Sequence, residues 1–175
     1  MGDRFVDKLE AVLRAREALK DVTPLHGDCG RICGAACCAC DEDGQGGMLL
    51  LPGEEALYAS LPSGCSLTRS DSVLPGLYLL TCSGTCTRDE RPYSCRIFPL
   101  TPVLCPNQGR ELLKVRVDPR SFALCPLSEQ GIRAMDTSFS AAVLESARIL
   151  CACPEHRAYF LALSRYFDRI CTWES

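Results

Sequence analysis

The stretch "CGRICGAACCAC", residues 29–40, places five cysteines in twelve positions. Four readings are open for them: disulfide partners, metal ligands, a redox pair, or small hydrophobes. The choice decides the fold, because a centre tied together through cysteine needs little regular structure of its own. The chain of 175 residues carries fourteen cysteines, a density whose common causes are a secreted disulfide scaffold and metal binding. The segment "MGDRFVDKLEAVLRAREALKDV" (1–22) discriminates between them. Charges recur along it from Asp3 to Asp21 and it has no apolar h-region, so it reads as neither a signal peptide nor a membrane span. A cytoplasmic protein is therefore expected, in which thiols stay reduced. Metal is then the leading account of the cysteines.

Composition supports an ordinary globular chain, 47% apolar and 23% charged. Its length suits a single domain, 1–175, with a cysteine-rich core at about 29–100 and a helical part at about 137–173. Acidic residues outnumber basic ones, 22 to 19, for a net charge of −3. That balance lacks the basic footprint of a nucleic-acid binder. No membrane partner is expected either.

Working outward, residues 4–21 read as an amphipathic helix with Phe5, Leu9, Val12, Leu13 and Leu19 at helical spacing. Pro24 and Gly27 end it. "DEDGQGG" (41–47) superficially resembles a calcium loop, but Pro52 stands where the bidentate Glu belongs, and it reads as a turn. "MLLL" (48–51), "GLYLLTC" (76–82) and "ELLKVRVD" (111–118) predict strands, and "PGEEALYASL" (52–61) a short helix. "TSFSAAVLESARIL" (137–150) predicts a helix capped by Thr or Ser. A second helix over 154–173 opens on Pro154, with Tyr159, Phe160, Leu163, Tyr166, Phe167 and Ile170 on one side. The expected class is α+β: a small irregular cysteine-rich metal-binding centre with a few short strands, flanked by N- and C-terminal helices.

A second cysteine group lies in "LTCSGTCTRDERPYSCRIFPLTP" (80–102), where Cys82, Cys86 and Cys95 sit in loop-like sequence. Two loops offering several thiolates each can close a metal site while fixing irregular backbone. Thiolate donors select zinc or an iron–sulfur cluster over magnesium or calcium. Cys33, Cys37 and Cys40 also have radical-SAM spacing, but Ala39 replaces the usual aromatic and no βα repeats follow.

At these residues the chain resembles the YkgJ-type family, described as a zinc- or iron-chelating domain with a CxxCxxCC motif, a G-x-C element and R-P-x-x-C-R-x-[FY]-P. Gly84 and Cys86 match the G-x-C element, and Arg91, Pro92, Cys95, Arg96, Phe98 and Pro99 match the remainder. The first motif departs, with three residues between Cys29 and Cys33 and three more before Cys37 and Cys38. The likeness covers about residues 29–100. The resemblance implies a metal site drawn from Cys33, Cys37, Cys38, Cys82, Cys86 and Cys95, with Cys29 and Cys40 next. So many thiols exceed one four-coordinate site, which suits an iron–sulfur cluster with spare thiols, or two metals. The family's cysteine motif is also similar to that of flagellin lysine methylases, so a metal-dependent methyl-transfer enzyme is an alternative expectation. Thiol redox or metal delivery is a further one.

Arg91 and Arg96 bracket Cys95 and either offset thiolate charge or pair with Asp89 or Glu90 at the surface. Cys105, Cys125, Cys151 and Cys153 form a second site or serve as buried thiols. Cys65 and Cys171 read as isolated structural cysteines. Of the two histidines, His26 reads as a ligand or a local hydrogen-bonding group, and His156 as exposed. No Walker loop, G-x-S-x-G or dinucleotide fingerprint is present.

Overall fold

Asp7 opens the first helix, its carboxylate accepting the backbone N–H groups of Leu9 and Glu10 at 2.9 and 3.2 Å. The computed structural model describes residues 7–27, 29–38, 46–82, 84 and 86–171. Cys40, Phe5 and most of the turn expected at 41–47 lie outside the described residues. The helices are α1 (Lys8–Glu17), α2 (Gly30–Cys33), α3 (Tyr93–Ile97), α4 (Pro126–Gln130), α5 (Thr137–Cys151) and α6 (Pro154–Ile170). The strands are β1 (Gly46–Leu49), β2 (Cys65–Ser70), β3 (Leu77–Cys82), β4 (Leu100–Asn107) and β5 (Arg110–Val117). β1, β3 and β2 form an antiparallel sheet in that order, and β4 pairs with β5 in a separate hairpin. The architecture is α+β, as the sequence predicts.

α1 buries Ala11, Val12 and Ala15, with Leu19 just beyond its end, and packs against α5. Leu13, expected inward, is 50% exposed. The buried face is set by Ala11, Val12 and Ala15, and Leu13 lies off it. The strands expected at 76–82 and 111–118 correspond to β3 and β5; of the one expected at 48–51 only Met48 and Leu49 lie in β1, and the short helix is a 3-10 turn over Glu54–Tyr58.

β4 was not expected because it contains Pro102 and Pro106, which remove ladder donors. Residues two apart on a strand present their N–H groups to the same edge. Leu104, between the prolines, donates its N–H to Ser164 Oγ of α6 at 2.9 Å. The prolines therefore share the edge that faces away from β5, where no ladder bond is required. The turn into β5 uses Gln108 and Gly109, with φ of +46° and +77°, the backbone of a tight two-residue hairpin.

α5 is capped by Asp136, which accepts the Ser138 N–H at 2.8 Å, rather than by the Thr or Ser expected. The inward side of α6 carries Tyr159, Phe160, Leu163 and Phe167 as predicted, while Ile170 is half exposed. Tyr93 of α3, Phe139 of α5 and Phe160 are fully enclosed in the core between the helices and the β4–β5 hairpin. Among the described residues no helix is long and apolar enough to cross a membrane.

His156 is not exposed. It is fully buried at the start of α6, with Nε2 3.0 Å from the Lys8 carbonyl oxygen. Burial draws its pKa below the ordinary 6.5; the Lys8 carbonyl and Glu155 oppose this, and the Lys8 charge adds to it. The fold therefore resists a proton that the unfolded chain accepts. That contribution to stability is complete above pH 6.5 and is lost progressively as pH falls from there through the lower folded-state value. Denaturant titrations should show a slope of up to about 1.4 kcal/mol per pH unit on the acid side. His156→Gln should flatten that slope; an unchanged slope would assign it to other groups.

Candidate metal centre

The first cysteine loop is short and sharply bent. α2 places Cys29 and Cys33 a turn apart, with the Cys33 thiol 3.7 Å from the Cys29 carbonyl oxygen. Gly34 and Ala35 then turn through φ of +61° and +56°, and a 3-10 turn over Ala36–Cys38 follows. The second group is carried on firmer supports. Cys82 ends β3, Cys86 enters the turn before Pro92, and Cys95 lies mid-way along α3.

Glu54 anchors α3. It is fully buried, and its carboxylate accepts the N–H groups of Tyr93 at 2.7 Å and Leu51 at 3.1 Å. Arg16 stands 4.0 Å away. Burial raises the Glu54 pKa, while the two N–H donors and then Arg16 and Arg96 pull it back. The turn at 87–91 is held by guanidinium groups acting on backbone carbonyls. Arg88 donates to Leu19 at 2.8 Å, to Lys20 at 2.9 Å, and to Val22. Arg96 donates to Arg91 at 2.9 Å and to Asp89 at 3.0 Å. Arg16 also reaches the Asp89 carbonyl.

The two cysteine groups converge on one cavity of about 370 Å³, lined by Cys37, Cys38, Cys65, Cys82, Cys86 and Cys95. Five of the six sequence-predicted ligands are there. The sixth, Cys33, lies with Cys29 and Cys37 around a smaller cavity of about 120 Å³, so Cys37 stands between the two. Cys125 also lines this second cavity. The sequence groups Cys125 with Cys105 and Cys153, each followed by proline, and with Cys151, two residues before Cys153. Cys105 and Cys151 instead pack on the helical core, and the buried Cys153 thiol donates to Glu155 at 3.2 Å. Cys65 was missed altogether, because its place beside Cys82 depends on the pairing of β2 with β3.

Gly84, with φ of +82°, seats the first loop on the second. A Cβ at Gly84 would lie 2.5 Å from the Cys38 carbonyl oxygen. The arginines divide in role. Arg96 is buried in the turn's backbone bonds, and burial and then Arg16 and Arg88 hold its pKa down. Arg91 faces the thiols: burial opposes its charge, but Cys38 and Cys86 outweigh burial, and it hydrogen-bonds Cys86. Its Nε is buried with no hydrogen-bond partner among the described residues.

The pKa values of Cys95, Cys37 and Cys86 are raised. Burial pushes Cys95 far up, with Cys38, Cys86 and Cys82 adding to it. The hydrogen bond with Cys38, then burial, does the same for Cys37. Burial also raises Cys86, against the opposing Arg91 charge. Among the described residues, no three Cys, His, Asp or Glu side chains are grouped so as to hold a metal ion. His26 stays outside the cavities, 99% exposed in its side chain and 3.1 Å from Asp136.

The chain matches no protein family, no curated protein and no solved structure.

Proposed function

We propose that the protein binds a soft metal, as an iron–sulfur cluster or zinc, through thiols of the larger cavity. The observation that carries this reading is the meeting of Cys37 and Cys38 with Cys82, Cys86 and Cys95 across nearly fifty residues of sequence. The donor chemistry fits: six cysteines line the cavity, and the Glu90 carboxylate that also lines it accepts the Thr87 N–H at 2.8 Å. Five thiols exceed by one the four that either a zinc ion or an iron–sulfur cluster takes, which leaves a spare sulfur. When bound, such a group supplies a cross-link between the two loops. Binding requires the buried thiols to give up protons and draw closer together, and Arg91 offsets the negative charge that remains.

Protein purified without oxygen should carry stoichiometric metal by elemental analysis. Broad visible absorption would identify iron–sulfur, and a colourless zinc-bearing sample the alternative. A well-folded, metal-free protein whose thiols all titrate as ordinary cysteines sinks the reading.

A further inference from the structure

Cys65 stands directly opposite Cys82 in the antiparallel pairing of β2 with β3. Opposed residues project to the same face of a sheet, with Cα atoms roughly 4.5–5.5 Å apart. That spacing lies inside the range of roughly 4.4–6.8 Å that a disulfide spans. The register is pinned by the pairs that follow, from Ser66 with Thr81 to Ser70 with Leu77. The Ser66 and Thr81 hydroxyls hydrogen-bond at 3.0 Å immediately beside the cysteines. Both cysteines line the larger cavity. β2 is an edge strand, and both cysteines are only partly buried.

We propose that Cys65 and Cys82 are an oxidation-sensitive dithiol that closes to a cross-strand disulfide by exchange with a low-molecular-weight disulfide. Closure withdraws Cys82 from the metal-binding thiols, a consequence that rests on the metal-binding reading above. In the first step the Cys65 thiolate attacks the small disulfide, whose S–S bond breaks as a mixed disulfide forms and one small thiolate leaves. In the second, the Cys82 thiolate attacks the Cys65 sulfur, the cross-strand bond forms and the other small thiolate leaves. Two protein thiols are oxidised, one small disulfide is reduced to two thiols, and the two protons pass to the leaving thiolates. No change of register is required, because the strands already hold the two Cα atoms at bonding separation.

The test uses the full chain, purified without oxygen and incubated with oxidised glutathione. Remaining thiols are alkylated, and disulfide-linked peptides are fragmented to locate the bond. The expected result is a dominant Cys65–Cys82 link that forms in step with metal loss and reverses with dithiothreitol. In Cys65→Ser, and in the strand-compatible Cys65→Thr, oxidant-driven metal loss should slow about tenfold relative to each variant's own starting content. A Cys82 link to Cys86 or Cys38, or a Cys65 that remains fully alkylated while metal leaves, overturns the proposal. A chain that carries no metal yet forms the Cys65–Cys82 link retains the dithiol and removes only the metal-binding reading. A metal-bearing chain that never forms the link removes the dithiol alone.

Discussion

Replacing Cys95 with serine should strip the protein of metal, while the same change at Cys171 leaves metal content intact. Cys95 is fixed on α3, which Glu54 and Tyr93 lock into the core, and its sulfur has Cys38, Cys86 and Cys82 for neighbours. Serine preserves the shape but removes a soft donor. The loss should be on the order of 100-fold in affinity or more, since changes outside the ligand shell already cost 10–100-fold. Cys171 follows α6, its N–H bonded to the Phe167 carbonyl at 2.8 Å, and it lines neither thiol cavity. Its serine variant should stay within about 0.5 kcal/mol of the parent in stability. Elemental analysis of both variants, with circular dichroism to confirm folding, settles the assignment. Equal metal content in the two would place the site elsewhere.

Gly84→Ala should separate the two cysteine loops. An alanine there must hold φ near +82°, a left-handed conformation that costs an L-residue roughly 1–2 kcal/mol. The greater obstacle is the Cys38 carbonyl oxygen, 2.5 Å from the new Cβ. That oxygen is backbone and has no rotamer through which to retreat, so the segment carrying Cys37 and Cys38 has to move. Gly34→Ala provides the control, since Gly34 also has positive φ, +61°, but nothing lies within 4 Å of its Cβ position. Gly84→Ala should lose metal affinity and expose residues 29–38 to limited proteolysis, whereas Gly34→Ala should retain most of both. Matching behaviour in the two variants would show that the close approach at Gly84 does not join the loops.

What the sequence discloses divides along physical lines. α5, α6, β3 and β5 are legible because their apolar residues recur with the period of the element that buries them. β4 is illegible because its prolines are tolerated only through an edge covered by Ser164, a fact of tertiary structure. β2, with the sequence "CSLTRS", offers little apolar alternation, and its strand character comes from pairing with β3. His156 reads as exposed because a histidine beside Glu155 in a first helical turn carries no mark of the Lys8 carbonyl above it. At the site, the cysteine motifs bring out Cys33, Cys37, Cys38, Cys82, Cys86 and Cys95, of which Cys33 lines only the smaller cavity. They cannot place Cys65 or Cys125, whose neighbours are set by strand register and by the return of the chain through α4.

The guanidinium contacts around the turn at 87–91 bear on how freely this chain can drift in sequence. Arg16, Arg88 and Arg96 grip carbonyl oxygens, which every residue possesses whatever its side chain. The identity of Asp89 is thus uncoupled from the shape of the turn, although its position in the chain is not. Substitution of Asp89 is buffered, while insertion or deletion, which shifts its carbonyl out of reach, is not. The shape of the turn then rests on three arginines drawn from α1, the turn itself and α3, rather than on the side chain of Asp89.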